Sequence, residues 1–287
     1  MVDAIAAIIC VIIIVCVWFM LYDSNRFIVK THEVTDERIR RPMRAAVLAD
    51  LHNKRYGKKN EILLEAVRAH KPDCILIAGD MLTAKPGESF DTAIHILAEL
   101  AKEYPVYYGN GNHEHRLKLY PHSYGDMAER YKAALGEIGI EPIVNSHAAL
   151  QPYGIVVYGS EIDKFYYKRF KVPPMEADYL KKILGTPDPN MYNVLIAHNP
   201  DYFPNYGEWG ADLTLSGHVH GGIVRVPFWG KGIASPGIRL FPKYDGGLFR
   251  EKGKTMLLSR GLGMHTIPFR LFNPGELWIV DFKPGEH

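Results

Sequence analysis

Five short apolar runs divide the chain, and each ends abruptly in polar residues: Ala45–Ala49, Cys74–Ala78, Pro105–Tyr108, Asn193–Ala197 and Asp212–Ser216. Runs of this length, rich in branched and aromatic side chains and closed by Gly, Asn or Asp, read as buried β-strands. Between the first of them the spacing changes. Asn60–His70, Asp91–Glu103 and Tyr124–Gly139 repeat apolar positions every three or four residues, with Ile94, Leu97, Leu100 and Ala101 on one face of the second stretch. That is the period of an amphipathic helix. Strands alternating with helices predict an α/β fold whose sheet is wrapped by helices.

The second half has a different rhythm. Ile155–Gly159, Asn193–Ala197 and Leu213–Ser216 read as strands, but only Met175–Leu184 has helical spacing between them. From Ile223 onward the chain is rich in Gly, Pro and aromatic residues, with further strands at Thr255–Ser259 and Leu277–Phe282. A second sheet packed against the first predicts a four-layer α/β/β/α sandwich over residues 45–287. Residues 23–44 are polar and read as a linker or lead-in, with Arg26–Lys30 as an edge strand.

The opening segment follows neither period. Ala4–Tyr22 has no charged residue, and its nineteen residues at about 1.5 Å each are long enough to cross a hydrocarbon core of about 30 Å. A cleaved signal peptide would need a basic start and a small-residue cleavage site. Here Asp3 is the early side-chain charge, and Trp18-Phe19-Met20 stands where small residues belong. The segment therefore reads as an uncleaved, single-pass transmembrane helix, with Trp18 and Tyr22 at one interface. Arg26, Lys30, Arg38, Arg40, Arg41 and Arg44 follow it, whereas residues 1–22 contain no Lys or Arg. This asymmetry favours a cytoplasmic position for the domain that follows.

Composition narrows the function. The net charge of +2 carries no basic excess, so no stable nucleic-acid partner is expected. Three cysteines cannot build a disulfide framework; Cys10 and Cys16 lie in the apolar opening, and Cys74 begins a core strand. The chemistry lies in the polar blocks that end the five runs: Asp50-Leu51-His52, Gly79-Asp80, Gly111-Asn112-His113-Glu114, His198-Asn199-Pro200 and Gly217-His218-Val219-His220. The carboxyl ends of strands border the ligand crevice of an open α/β sheet. Taken singly, an Asp in such a place is often a helix N-cap and a His is often merely solvated. Together they form a donor set of carboxylates, an amide and imidazoles without thiolate. That set suits a pair of divalent cations, Mn²⁺, Fe or Zn²⁺, of the kind that clamps a phosphoryl displacement.

The ordered series D-x-H, G-D, G-N-H-[ED], H and G-H-x-H, complete over residues 50–220, closely resembles the calcineurin-like metallophosphoesterase superfamily. The resemblance implies two mixed sheets in the four-layer sandwich. It also implies that Asp50, His52 and His220 hold one metal, that Asn112, His198 and His218 hold the other, and that Asp80 bridges them. His113 would not be a ligand; it would protonate or hydrogen-bond the leaving oxygen, its ring oriented by Asp50 or Glu114. Arg260-Gly261-Leu262-Gly263 and Pro268-Phe269-Arg270 further resemble a membrane-anchored bacterial branch of that superfamily.

Three arginines, Arg239, Arg260 and Arg270, are candidates to meet a phosphate bidentately, with Arg260 foremost, although an Arg near a strand end is more often a salt-bridge former. His95, His122, His147 and His265 match no position of the series and read as structural or surface residues. The aromatic stretch Val226–Phe249, with Phe228, Trp229, Phe241, Tyr244 and Phe249, can line a pocket, rest against lipid or pack as a loop-rich lobe. The functional expectation is a membrane-anchored, dinuclear-metal phosphoesterase acting on a phosphodiester or pyrophosphate bond in a lipid-linked or envelope substrate. A tethered nucleotide or cyclic-nucleotide phosphodiesterase is the alternative. A catalytically silent metal-binding scaffold at the membrane is the non-enzymatic one.

Overall fold

The computed structural model describes residues 1–227, 229–235, 239–264 and 268–285, so Phe228 and His265 lie outside the described residues. The strands are β1 (Phe27–Asp36), β2 (Met43–Leu48), β3 (Cys74–Ala78), β4 (Val106–Gly109), β5 (Pro142–Ile143), β6 (Ser146–Leu150), β7 (Ile155–Ser160), β8 (Tyr192–Ala197), β9 (Leu213–Ser216), β10 (Gly247–Glu251), β11 (Lys254–Leu258) and β12 (Gly275–Pro284). The α-helices are α1 (Val2–Ser24), α2 (Glu61–Ala69), α3 (Asp91–Ala101), α4 (Asn112–Leu119), α5 (Pro121–Tyr124), α6 (Met127–Glu137), α7 (Tyr179–Leu184) and α8 (Phe203–Trp209).

Among the described residues, two six-stranded sheets form, in the orders β1-β12-β2-β3-β4-β5 and β10-β11-β9-β8-β7-β6. Both are mixed. In the first, β12 runs antiparallel to β2 while β2 through β5 are parallel; in the second, β7, β8, β9 and β11 are parallel and β6 and β10 antiparallel to their neighbours.

Side-chain alternation explains the layering, because successive residues of a strand face opposite sides of its sheet. Ala45 and Val47 of β2 and Leu76 of β3 meet Val157, Val194, Ile196 and Leu215 in a core between the sheets. Ala46, Leu48, Ile75 and Ile77 face the other way, against Leu63, Leu97, Tyr131 and Leu135 of α2, α3 and α6. On the far side, Val156, Tyr158 and Leu195 pack against Leu180, Leu184 and Tyr206 of α7 and α8. The result is the α/β/β/α sandwich.

Three elements differ from their sequence pattern. The lead-in carries a ten-residue strand, β1, which pairs in parallel with β12 along its whole length at the sheet edge. The stretch 124–139 is not one helix: Gly125 has φ of 59°, which ends α5 before α6 begins. The helix expected from Met175 starts at Tyr179, and two apolar side chains four apart, Leu180 and Leu184, dock it on the second sheet.

Helix α1 spans 23 residues and is long and apolar enough to cross a membrane. Most of its side chains are exposed, Cys16, Phe19 and Met20 are half-buried, and Asp23 and Ser24 in the last turn are buried in the domain. The Asp23 carboxylate accepts from the Asn273 N–H at 2.9 Å and pairs with Arg26 at 2.7 Å. The Ser24 hydroxyl accepts from the Arg270 N–H at 2.9 Å.

Leu76 sits at the middle of the inter-sheet core with no exposure. Leu76→Ala leaves a cavity that close-packed neighbours from both sheets cannot collapse to fill. It is expected to cost about 2–5 kcal/mol, read as a lowered unfolding midpoint of the full chain in detergent.

Candidate metal centre

The polar blocks lie where the strands end. Asp50 and His52 follow β2, Asp80 follows β3, Asn112 and His113 open α4 after β4, His198 follows β8, and His218 and His220 follow β9. Main-chain hydrogen bonds stitch these ends together. Asp50 N–H donates to Gly79 O at 2.9 Å, His52 N–H to Asp80 O at 3.1 Å, and Gly217 N–H to His198 O at 3.1 Å. Asp50, His52, Asp80, His218 and His220 all adopt positive φ, between 46° and 74°. Each such non-glycine residue costs roughly 1–3 kcal/mol, and strain of this kind concentrates at functional sites.

The space is as restrictive as the backbone. A Cβ on Gly79, whose φ is +87°, would stand 2.6 Å from Gly111 and 2.8 Å from the His198 ring. A Cβ on Gly261 would stand 2.6 Å from Asp50 Cβ, so the Arg260–Gly263 segment forms a wall behind that carboxylate.

Among the described residues three donor groups result; that of His52, Asp80 and His113 overlaps the other two, the clusters that correspond to the expected ligand sets. In one, His52 Nε2 and His220 Nε2 are 3.2 Å apart, with Asp50 Oδ1 at 3.8 Å from the first and 3.5 Å from the second. Donors each about 2.1 Å from a tetrahedral ion lie roughly 3.4 Å from one another, so this spacing fits a cation. In the other, Asp80, His198 and His218 bring ligand atoms within 4.8 Å of one another, with His198 Nε2 at 3.0 Å from Asp80 Oδ2. His198 Nδ1 faces Ala78 O at 2.7 Å, and a carbonyl can only accept. The proton is therefore on Nδ1, which leaves the Nε2 lone pair for a metal, the usual tautomer of a ligating imidazole. Asn112 lines the same pocket, and its buried Oδ1 has no hydrogen-bond partner. An orphaned amide oxygen beside two imidazoles fits a second cation, because a buried acceptor otherwise goes unsatisfied at a cost. The Asp80 carboxylate reaches toward both clusters, lying 3.8 Å from His52 Nε2.

The electrostatics ask for positive charge. Burial pushes the Asp50 carboxyl up to about 7, helped by Asp80 and opposed by His198. Burial acts on Asp80 in the same sense, but His198, His113 and His52 outweigh it and hold Asp80 well below the usual carboxylate range. Burial also disfavours charge on His198, yet Asp80 and Asp50 draw it up to about 10. A dication meets the same demand and leaves the imidazole neutral.

His113 behaves differently. Its Nδ1 accepts the Ala84 N–H at 2.8 Å, so in the neutral ring the proton is on Nε2. That nitrogen then has no lone pair for a metal and acts as a hydrogen-bond donor. Main chain thus orients the ring at Nδ1, where the sequence pointed to Asp50 or Glu114. Glu114 instead accepts from the N–H groups of Asp80, Met81 and Gly111 and from the Tyr108 hydroxyl at 2.8–3.0 Å, and so clamps two loops.

The arginines are redistributed as well. Arg260 pairs with the buried Glu276 at 3.1 Å. Arg270 is buried and donates to the carbonyls of Arg260, Gly261, Gly263 and Asn273, holding the wall segment. Arg239 does line the pocket, steadied by Asp201 at 2.5 Å. Sequence reasoning missed Arg116, Lys168 and Arg169, which line it too. Arg116 was findable, one helical turn beyond Asn112 and His113 on α4; the other two sit in a loop with no periodic signal. His95, His122 and His147 lie on α3, α5 and β6, and none lines the pocket.

Comparison with known proteins places this geometry. The calcineurin-like phosphoesterase description matches residues 43–222, well over half of the chain. The chain belongs to the calcineurin-like phosphoesterase family. It is 25% identical over 227 residues to an uncharacterised metallophosphoesterase of Bacillus subtilis, YkuE, covering 76% of this chain and 70% of the relative. It is 26% identical over 229 residues to the phosphodiesterase YaeI of Escherichia coli, covering 77% and 76%. A solved NAD nucleotidase of Haemophilus influenzae aligns over 77% of this chain and 45% of its own, at 12% identity and a TM-score of 0.41. As a calcineurin-like phosphoesterase, the chain is a metal-dependent phosphoester hydrolase.

Asp80→Asn removes a carboxylate that lies 3.0 Å from His198 Nε2 and 3.8 Å from His52 Nε2, within reach of both clusters as Asp50 also is through His198 at 3.7 Å. It is expected to lower bound metal toward none per chain, because loss of a shared ligand weakens both sites together. Elemental analysis checks this directly; two ions retained in the variant would show that Asp80 is not shared.

Proposed function

We propose that this calcineurin-like phosphoesterase is membrane-anchored through α1 and cleaves a phosphodiester or pyrophosphate bond in a lipid-linked or envelope substrate. Asp50, His52 and His220 would hold one divalent cation and Asn112, His198 and His218 the other, with Asp80 as the ligand shared between them. The observation that carries the reading is the placement of Asp80 between two imidazole-rich clusters beside an unpartnered Asn112 oxygen. When bound, such a cation pair supplies Lewis acidity toward phosphoryl oxygens and a water that ionises near neutral pH.

The chain's own residues do the rest. Arg116, Lys168, Arg169 and Arg239 offset the negative charge of a substrate with anionic groups beyond the scissile one, which suits a pyrophosphate or a diester that carries a further anionic group. The name of the Escherichia coli relative, a phosphodiesterase, supports the same choice. His113, its Nδ1 occupied by the Ala84 N–H, donates a hydrogen bond from Nε2 to the leaving oxygen as charge develops there. Complete proton transfer from the neutral ring would leave an imidazolate, so its part is hydrogen-bond stabilisation of the kind an oxyanion hole provides.

The domain faces the cytoplasm. Arg26, Lys30, Arg38 and Arg44 are paired with Asp23, Glu276, Asp212 and Asp281 in the fold. The bias operates on Lys and Arg during insertion, and acidic residues count for little in it, so this pairing does not cancel it.

Two outcomes test these statements. His113→Ala is expected to keep both metals and to lower turnover by about 10²–10³-fold on an alkyl diester, and by much less on a nitrophenyl diester, whose leaving group needs little help. Equal losses on both substrates would remove the leaving-group role. For orientation, protease added to intact cells expressing the chain should leave the domain uncut until the membrane is opened; cleavage in intact cells would place it outside.

A further inference from the structure

Two segments that frame the pocket share an unusual composition. Residues 164–172 (KFYYKRFKV) and 226–243 (VPFWGKGIASPGIRLFPK) contain seven Lys or Arg and no Asp or Glu. Both contribute to the pocket wall, through Tyr167, Lys168 and Arg169 on one side and Ser235 and Arg239 on the other. Their large apolar side chains point away from the core: Phe170 is 70% exposed, Trp229 66%, Leu240 68% and Phe241 59%. The rest of the aromatic stretch behaves otherwise, since Tyr244 and Phe249 pack with Phe203, Met256 and Leu258. Within the stretch, the most exposed aromatic and aliphatic side chains are therefore those of the part beside the pocket.

The second segment is also joined to the end of α1. The Phe19 ring lies 4.8 Å from that of Phe272, and the Asn273 and Arg270 amides bond to Asp23 and Ser24. Leu271 bridges in parallel to Val224, and the chain then folds back through the bridges Arg225–Gly232 and Ala234–Leu240. Trp229, Leu240 and Phe241 therefore hang from the strip that receives the last turn of the apolar helix. Exposed aromatic and aliphatic side chains interleaved with Lys and Arg, with no acidic residue, are the composition of a surface that lies in an anionic lipid interface.

We propose that residues 164–172 and the described residues 226–227, 229–235 and 239–243 form a membrane-docking rim, with Phe170, Trp229, Leu240 and Phe241 seated at the anionic face of the bilayer that holds α1. The pocket between them then opens onto the lipid headgroups, and its substrate is a phosphoester presented at headgroup level. The inference rests on α1 being an anchor, and the experiment separates the two. The full chain is reconstituted in vesicles of phosphatidylglycerol and phosphatidylcholine with brominated acyl chains, which quench tryptophan at short range. Of the four tryptophans, Trp18 reports α1 and Trp229 reports the rim, while Trp278 is buried in the inter-sheet core and Trp209, at the end of α8, packs against Tyr158.

The expected result is that the Trp18→Phe chain is still quenched, that Trp18→Phe/Trp229→Phe loses this quenching, and that it weakens when phosphatidylglycerol is replaced by phosphatidylcholine. Both substitutions are conservative and exposed. Quenching abolished by Trp18→Phe alone would overturn the rim and leave the anchor standing, as it would if Trp229 were covered by a second copy or another protein. Absence of any quenching in the unaltered chain would overturn the anchor, and the rim with it.

Discussion

Asp50 and Asp80 stand at the ends of neighbouring parallel strands, 0% and 2% exposed, so their charges must be met inside the protein. Burying one unpaired carboxylate is costly, and two side by side repel as well. Every nearby feature answers that demand. Imidazoles from both sheets surround the pair, the His218 N–H donates to both oxygens of Asp50 at 3.0 and 3.1 Å, and the His113 N–H donates to Asp80 at 2.7 Å. What the protein's donors leave unmet is positive charge, and a pair of cations supplies it. The hydrolase chemistry of the family is a use of this deficit.

Holding the ligands there strains the main chain. Positive φ at Asp50, His52, Asp80, His218 and His220 is tolerated only where the surroundings over-determine it. The surroundings do so from several directions. Glu114 spends its carboxylate on three backbone amides and a tyrosine, Arg270 fixes the wall behind Asp50, and Asn273 donates from Nδ2 to His220 O at 2.7 Å. None of these three is a candidate ligand, and each sets where a ligand can stand.

Asn273 also links distant parts of the molecule. Its main-chain N–H is held by Asp23 at the end of α1 while its side chain holds the loop of His218 and His220. The apolar helix is thus fastened to the segment that supports the metal-binding loop, not suspended from it by a flexible linker. A centre so closely joined to a membrane-compatible helix has little freedom to turn away from the surface in which that helix would lie.

Much of this was legible in the chain. The five apolar runs, their periods and the polar blocks that end them marked out the strands and the layers, and the resemblance of those blocks to a known family supplied the seven candidate ligands and the separate place of His113. Strand ends in an α/β sheet converge by topology, so a local pattern was sufficient there. Where a residue's role depended on what approached it through space, the sequence misled or was silent. For Arg260 the sequence left a phosphate contact and a salt bridge both open, and Glu276, from β12, decided for the salt bridge. Glu114 looked like a partner for its neighbour His113 but faces the loop after β3. The edge strand expected at Arg26–Lys30 runs on to Asp36 because β12, at the far end of the chain, offered it ten residues to pair with. Lys168, Arg169 and Asn273 carried no signal at all. Periodicity and spacing record each residue's relation to its neighbours along the chain, and so they determined the elements and the donor set. Which buried group meets which, and which charge remains for a substrate, was decided only when the two sheets packed and set distant side chains within hydrogen-bonding reach.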